Sequence, residues 1–455
     1  MSTASTIEPQ AAPAPKVPYP STGYSWYVVA VLLSVYILAY IDRQILGVLV
    51  APIKRDLDIN DTQMSLLLGF AFAMFYTIVG LPIGRLADRT NRRNLVLAGT
   101  TIWSISTAFC GIAKNYGQLF VARMGVGLGE ACLNPAVVPM LSDYFPKEKL
   151  GRAMGVYMLG VSIGGGLAHI VGGEFLPVLT SQTPVDLPLF GAVLPWEAML
   201  IALGCTGGLM VALLFTVREP ARQGETKRDA SGKVVNLPLK AVFSHLGRHW
   251  KAYCAIGWPL AASALMTFGV GYWVPSFFLR SYNLSEAAAG QYLGAFGLMS
   301  MICGAIGVVG GGFLVDYLGK KYADGHLRTL LLGICLLAPG YGIFALMPNP
   351  TLAIIVMIPA VIGGGILQAT GVTTLMAVVP PQMKSQIAAL YFFIVNLIGA
   401  AVGPTAIAVL TDSVFADESM LRFSIAIVAL GTGATAVAVL LAGRASYRRM
   451  LTEEF

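Results

Sequence analysis

The chain has 455 residues, of which 56% are hydrophobic and 12% charged, and its formal net charge is +7. Soluble domains usually carry about 25% charged residues, so this balance excludes an ordinary soluble protein. It indicates a protein that crosses a membrane many times.

Residues 1–23 are rich in Pro, Ala and Ser, which predicts a disordered tail and not a signal peptide. The apolar stretches that follow are each about 20 residues long, the length of a membrane-crossing helix. We predict twelve such spans, at 26–50, 64–83, 94–113, 118–141, 152–178, 193–217, 252–279, 290–314, 329–347, 351–377, 385–411 and 421–443.

Two of these spans each carry a pair of ionisable residues: Asp42 and Arg43 in span one, and Arg123 and Glu130 in span four. A charge near the bilayer centre costs about 2.5–3.5 kcal/mol on insertion scales, so such groups are expected to pair inside a protein-lined cavity. At a rise of 1.5 Å per residue, Asp42 falls near the depth of Arg123, and Arg43 can reach towards Glu130.

The depth of these four residues in the membrane also predicts that they bind protons and an anion. We expect Glu130 to bind and release protons at mid-depth, and Asp42 to do the same unless Arg123 holds it ionised. Protonation would free Arg43 and Arg123 to bind an anionic head group. The alternative is a structural salt bridge that only joins spans one and four.

His169, among the glycines of span five, either relays protons or makes a polar contact between closely packed helices. Gln44, Tyr40 and Tyr157 are candidate cavity-lining residues by position. The six cysteines all fall inside spans at no metal-ligand spacing, so they are expected to act as small buried hydrophobes. No metal site and no cofactor is predicted.

A short motif recurs in two connections. The connection after span two reads Gly84-Arg85-Leu86-Ala87-Asp88-Arg89-Thr90-Asn91-Arg92-Arg93, and its counterpart 228 residues later reads Gly312-Phe313-Leu314-Val315-Asp316-Tyr317-Leu318-Gly319-Lys320-Lys321. Both have the form G-x-x-x-D followed by basic residues. Glycine permits close helix packing, and a carboxylate at a helix end can meet a helix dipole or an arginine. We expect Asp88 and Asp316, with Gly84, Gly312, Arg89 and Arg92, to form a cytoplasmic gate; the alternative is a simple topology determinant.

The repeat divides the chain into two halves, an organisation typical of secondary transporters. The longest polar connection, 218–251, separates six predicted spans from the next six. We therefore predict an N-terminal bundle over 24–217, a C-terminal bundle over 252–443 and a tail over 444–455. The fold class is an all-α membrane protein of two pseudo-symmetric six-helix bundles.

The distribution of basic residues predicts the orientation. If both termini are cytoplasmic, 23 of the 30 Lys and Arg residues lie on the cytoplasmic side, which agrees with the positive-inside rule. The net charge is then explained by topology, and no nucleic-acid partner is predicted.

The two loops and a third motif, Arg123-Met124-Gly125-Val126-Gly127-Leu128-Gly129, resemble signatures of the major facilitator superfamily. Tyr40-Ile41-Asp42-Arg43 and Gly127-Leu128-Gly129-Glu130-Ala131 resemble its Spinster branch, as a bacterial-type member. The resemblance implies the twelve-helix facilitator fold, alternating access and no enzymatic activity. Animal Spinster proteins export sphingosine phosphate or move lysolipids. The Asp-Arg pair and glycine-rich span four also recur in anion:proton symporters of the superfamily.

The expected function is therefore proton-coupled secondary active transport of an amphipathic, anionic, lipid-like substrate. The alternatives are a proton-coupled symporter of small organic anions, such as carboxylates or hexuronates, and a passive lipid scramblase or channel.

The expected partners are the lipid bilayer, the substrate and protons, with a monomer as the functional unit. The expected location is the bacterial inner membrane. No phosphate-binding loop or H-E-x-x-H sequence indicates an ATP-driven pump or a membrane enzyme.

Overall fold

The computed structural model describes residues 18–222, 239–380 and 383–452. Twelve long helices, which we number TM1 to TM12, account for most of these residues. Eleven are long and apolar enough to cross a membrane. The other, TM3, has 19 residues and contains several Ser and Thr, which lower its mean hydropathy.

In the first half, TM2 contains a π-helical segment and TM4 is broken in two. The helices are TM1 (Thr22–Val48), TM2 (Asp61–Ser65, Leu66–Phe70 and Ala71–Arg89), TM3 (Arg92–Cys110), TM4 (Tyr116–Glu130 and Leu133–Tyr144), TM5 (Lys147–Glu174) and TM6 (Pro195–Leu214). Shorter elements are the helices Val50–Leu57 and Leu176–Leu179 and a hairpin of β1 (Val185–Leu187) and β2 (Gly191–Val193), with Val185 opposite Val193.

In the second half, TM11 contains two π-helical segments. The helices are TM7 (Trp250–Tyr282), TM8 (Glu286–Lys321), TM9 (Gly325–Phe344), TM10 (Pro350–Met376), TM11 (Lys384–Asn396, Leu397–Val402, Gly403–Val409 and Leu410–Phe415) and TM12 (Leu421–Met450). A short helix, Leu239–Arg248, precedes TM7, and a 3₁₀ turn, Glu418–Met420, precedes TM12.

All twelve predicted spans correspond to helices, but TM7, TM8 and TM12 extend further than hydropathy predicts. TM8 has 36 residues and continues through Asp316 to Lys321, and TM12 continues to Met450, beyond the predicted boundary at 443. Charged residues at the membrane surface end an apolar stretch without ending a helix. The predicted disordered tail lies mostly outside the described residues, and TM1 begins at Thr22.

Helix packing repeats with a shift of six helices. TM1 packs on TM5, TM2 on TM4, and TM3 on TM4 and TM6; TM7 packs on TM11, TM8 on TM10, and TM9 on TM10 and TM12. The same pairings in both halves give two pseudo-symmetric bundles. Because the number of crossings is even, residues 18–21 and the end of TM12 lie on one side, which we call the terminal face. The opposite side is the distal face.

Glycines bring the two bundles into backbone contact. On TM5 and TM8, Gly166 faces Gly297 and Gly173 faces Gly290 so closely that a Cβ on any of them would overlap the carbonyl oxygen opposite. Between TM2 and TM11, Gly69 lies equally close to the Ala400 carbonyl. Small residues permit this approach, which maximises van der Waals contact between helices in a membrane.

An ion-pair network joins the bundles at the distal face. Asp61, at the start of TM2, is fully buried; it pairs with Lys54 and accepts hydrogen bonds of 2.5 and 2.9 Å from Arg280 of TM7. Glu418 bridges the same two cations, at 2.7 Å from Lys54 and 3.1 Å from Arg280. Three hydrogen bonds also join TM2 to TM11: Thr62 donates to Asp412 from its backbone N–H and its hydroxyl, and Ser65 donates to Thr405. The distal side is therefore closed.

We predict that Gly290→Leu destabilises the protein, because its side chain would force TM8 away from TM5. Overpacking of this kind costs about 1–3 kcal/mol. Gly294→Leu, one turn along TM8, is the matched control because the position of its Cβ faces open space. Thermal unfolding in detergent should show a lower melting temperature for Gly290→Leu only; equal melting of the two variants would contradict the close crossing.

Candidate functional site

The glycine motif of TM4 positions the two charges of that helix. Gly127 lies against the backbone of Phe72 on TM2, and Gly129 lies against the backbone of Trp103 on TM3. A side chain at either glycine would overlap these neighbours. TM4 therefore sits in close contact with both TM2 and TM3, and its charged residues come within reach of TM1.

Arg43 of TM1 and Glu130 of TM4 form a buried ion pair. Their side chains are 5% and 1% exposed, and the Arg43 Nη2 to Glu130 Oε2 distance is 2.5 Å. The Arg43 guanidinium also lies 4.9, 4.3 and 5.4 Å from the ring centroids of Tyr40, Phe72 and Tyr76. Aromatic faces attract a desolvated cation, so this aromatic surround stabilises the arginine at membrane depth.

Asp42 has partners on TM3. Its Oδ2 accepts hydrogen bonds of 2.5 Å from Trp103 Nε1 and from Thr107 Oγ1. The predicted approach of Arg43 to Glu130 is thus confirmed. Asp42 lies within electrostatic reach of Arg123, as their similar predicted depth suggests, but no salt bridge between them is found among the described residues. The hydroxyl and indole donors of TM3 lie closer to the carboxylate, and Arg123 acts on it only through a longer electrostatic interaction.

Arg123 is the unusual member of the cluster. It is fully buried, yet none of its three guanidinium nitrogens has a hydrogen-bond partner among the described residues. Its one stabilising ring is Phe72, with the centroid 5.7 Å away. A buried guanidinium usually has charge-assisted hydrogen bonds. Arg123 is therefore suited to receive an anion.

The second bundle contributes Tyr272 of TM7. This residue is buried, its hydroxyl has no partner among the described residues, and it lies within electrostatic reach of Arg43, Arg123 and Glu130. Its backbone packs against Gly47 of TM1. The cluster consequently lies where the two bundles meet, and the second bundle contributes a phenol to it.

A polar aromatic network adjoins the charges. Tyr157 donates a 3.0 Å hydrogen bond to the Asn134 side chain, whose amide lies 3.4 Å from the hydroxyls of both Tyr36 and Tyr76. The rings of Tyr36 and Tyr157 stack with centroids 4.5 Å apart. These groups offer both apolar surface and hydroxyl groups beside the charge cluster.

His169 lies between TM5 and TM8. Its Nδ1 is 2.8 Å from the Gly165 carbonyl oxygen, and its ring packs edge-on against Phe296 at 4.9 Å. No hydrogen bond between His169 and the charge cluster is found in the described part of the chain. The geometry accounts for the packing role, and the relay stays a prediction.

The glycines of the repeated motif do not pack against other helices. The Cβ positions of Gly84 and Gly312 both face open space. Asp316 is exposed at the end of TM8, and the side chain of Asp88 is not among those that the structure describes.

The basic residues of the first motif act within their own bundle or face solvent. Arg92 is buried and bonds to Asp143 of TM4 at 2.5 Å, which ties TM3 to TM4. Arg89 is exposed. Arg92 thus holds the first bundle together in this conformation, a role that its place in a basic cluster did not predict.

Several residues of the site were not predicted from the sequence: Trp103, Thr107 and Tyr272 beside the charges, Phe72 and Tyr76 around Arg43, and Tyr36 and Asn134 in the adjoining network. All are uncharged, so no pattern distinguishes them from the other polar and aromatic residues of the spans. Among the described residues, no group of three or more His, Cys, Asp or Glu could hold a metal ion.

Two six-helix bundles around a central buried charge cluster define a membrane transporter of the two-bundle type. The Major Facilitator Superfamily profile matches residues 32–404, so the chain belongs to that superfamily. Its members are transporters and not enzymes. The predicted superfamily and fold are thereby confirmed.

Relatives within the superfamily carry different functional names. The chain is 27% identical to an MFS-type efflux pump of Mycolicibacterium smegmatis, over 94% of this chain and 95% of that protein. It is 24% identical to protein spinster of Drosophila melanogaster, over 86% of this chain and 62% of that longer protein. It is 25% identical to a galacturonate transporter of Dickeya chrysanthemi, over 73% of this chain and 94% of that protein.

A solved structure shares the whole fold. The crystal structure of a bacterial homolog to the human lysosomal transporter Spinster, inward-facing and unoccupied, has a TM-score of 0.73 and 25% identity. The alignment covers 95% of this chain and 98% of that one. The Spinster resemblance read from the span-one and span-four motifs is confirmed.

We predict strong coupling between Arg43 and Glu130 in a double-mutant cycle. Glu130→Leu alone leaves a buried cation without its partner, which costs about 3–5 kcal/mol. Combining it with Arg43→Met removes that cation and should restore much of the lost stability. Thermal unfolding in detergent measures each variant; losses that simply add in the double variant would contradict a direct buried pair.

Proposed function

We propose that this protein is a proton-coupled secondary active transporter that moves an anionic, amphipathic substrate by alternating access. The observation that carries the proposal is the Arg43–Glu130 pair beside Arg123, whose donors have no partner in the described structure. An acid, its exchangeable counter-ion and an anion-binding guanidinium thus lie within one buried site.

Glu130 is the proposed proton-binding group. In the ionised form it neutralises Arg43. Protonation removes that neutralising charge, so the Arg43 guanidinium becomes available to an anion. The substrate's negative charge then takes the place of the Glu130 carboxylate beside Arg43, so binding of the proton and binding of the anion favour one another.

Asp42 is the second proposed proton-binding group. Its hydrogen bonds come from the neutral donors Trp103 and Thr107, so its charge is not neutralised by direct contact with a cation. An anion bound by Arg123 would lie close to this carboxylate. Protonation of Asp42 would then relieve the repulsion between the two negative charges.

The aromatic surroundings support an amphipathic substrate. Tyr40 and Tyr76 are partly exposed and present ring surface next to Arg43, on which an acyl or sphingoid chain can pack. The resemblance to the Spinster branch implies the same substrate class.

A small sugar acid is the second candidate, and one observation favours it. The Asn134 network provides tyrosine hydroxyls and an amide that match the hydroxyls of a hexuronate. The relationship to a galacturonate transporter supports this candidate.

For orientation, we propose that the terminal face is cytoplasmic, because most basic residues lie there. The closed distal network then corresponds to an inward-facing state in a bacterial inner membrane. Asp88 and Asp316 are proposed to latch the terminal face in the opposite state.

One chain supplies both bundles and the whole site, so we propose that the monomer is functional.

We predict that Glu130→Gln abolishes uphill transport driven by a pH gradient, because glutamine cannot exchange a proton. Downhill exchange of substrate should persist. Vesicles with reconstituted protein and an imposed gradient measure both. Glu174→Gln, an exposed carboxylate at the distal end of TM5, is the matched control and should behave as wild type. An unchanged response of Glu130→Gln to the gradient would overturn the assignment.

We predict that Arg123→Gln lowers affinity for the true substrate at least about tenfold, since a charge-assisted hydrogen bond is lost from a buried site. Binding of lysophospholipids and of galacturonate to purified protein should be compared in parallel. Stabilisation of the wild type by lysophospholipid alone supports the first candidate, and stabilisation by galacturonate alone supports the second. Equal binding to wild type and Arg123→Gln would contradict an anion site at Arg123.

A further inference from the structure

A groove separate from the central site opens between TM9 and TM12 near the terminal face. Its volume is about 210 Å³. Four leucines and two arginines line it: Leu327, Leu331, Leu440, Leu441, Arg328 and Arg444. The floor residues Leu327 and Leu440 are each 1% exposed, whereas Leu441 is 49% exposed on the outer wall. The groove is thus lined by apolar side chains along most of its length and by arginines at one end.

The charged end has more cations than anions. Asp324, at the start of TM9, is 1% exposed; it pairs with Arg444 and accepts hydrogen bonds from Arg328 at 3.1 Å and Arg448 at 3.0 Å. We call these three arginines the arginine rim. Burial raises the pKa of the Asp324 carboxyl, but hydrogen bonds from Arg444, Arg448 and Arg328 outweigh it and hold that pKa well below its usual range. The carboxylate stays ionised, and the four groups carry two surplus positive charges.

The rim keeps donors available. Each arginine has five N–H groups, and each is bonded to Asp324 through a single nitrogen. Their side chains are 36%, 36% and 49% exposed for Arg328, Arg444 and Arg448. Arg328 also lies 3.7 Å from the centroid of the Tyr322 ring, which fixes its orientation. Guanidinium groups held in place with free donors bind phosphate oxygens in pairs.

We propose that this groove is a binding site for an anionic phospholipid of the leaflet at the terminal face. The phosphate binds the arginine rim, and one acyl chain lies along Leu331 and Leu441. A basic site between transmembrane helices at a membrane surface suits an anionic lipid headgroup. A free phosphate or headgroup would use the arginines but leave the leucine groove uncovered, so the lipid accounts for both parts.

Lipid retention by the purified full-length protein tests the site. Native mass spectrometry should show phosphatidylglycerol retained at least about tenfold better than phosphatidylcholine of the same acyl chains, since each surface arginine adds to anionic-lipid affinity. Arg328→Gln combined with Arg448→Gln should abolish the preference. This variant keeps the Arg444–Asp324 pair, so Asp324 does not become an unpaired buried charge.

Two further variants distinguish a lipid seated in the groove from ions gathered on a basic surface. Leu441→Trp fills the groove without changing charge and should lower phosphatidylglycerol retention to the phosphatidylcholine level. Arg449→Gln, an exposed arginine next to the rim on the same helix, is the matched control and should retain the wild-type preference. Circular dichroism confirms that each variant is folded.

Three results would overturn the proposal. They are equal retention of the two lipids by the wild type, equal loss of preference in Arg449→Gln and in the double variant, and full displacement of phosphatidylglycerol by glycerophosphate. The second would indicate a general basic surface and the third a headgroup site without a lipid chain.

Discussion

The ion pair between Arg43 and Glu130 is the constraint on which the rest of the site depends. Two charges at membrane depth are tolerated only when they are paired and well solvated by protein groups. That requirement explains the glycines of TM4, which let the helix approach TM2 and TM3, and the aromatic rings around Arg43. The local packing of the first bundle therefore serves to hold charge where lipid alone would exclude it.

The molecule uses charge in a second way at the distal face. The Arg43–Glu130 pair lies within one bundle, so it need not break when the bundles rock. The network around Asp61 and Arg280 joins different bundles, so it must break when the distal side opens. The first set contains the groups that we propose to bind proton and substrate, and the second set joins the bundles in the conformation observed. Tyr272, which belongs to the second bundle but faces the charge cluster, is the described residue best placed to link them.

Sequence reasoning reached the fold because the information is redundant. Twelve apolar stretches, a basic bias on one side and a motif repeated 228 residues apart all indicate the same two-bundle architecture. Depth along the helices was enough to place Arg43 near Glu130. It did not reveal the direct partners of Asp42, because depth does not say which way around the helix a side chain points. The hydrogen-bond donors of TM3, Trp103 and Thr107, also carry no charge that would indicate them. The distal network was missed for a related reason: Asp61 and Arg280 lie 219 positions apart, and only the tertiary fold brings them together.

The central claim is that a proton and an anion bind together at one buried site. The most direct test is to add the substrate to purified protein in weak buffer and to follow the proton change with a pH-sensitive dye. The account predicts uptake of about one proton per bound substrate, because linkage requires that a ligand altering a group's protonation also moves protons. Saturating binding with no net proton exchange across the pH range from about 5 to about 9 would contradict it.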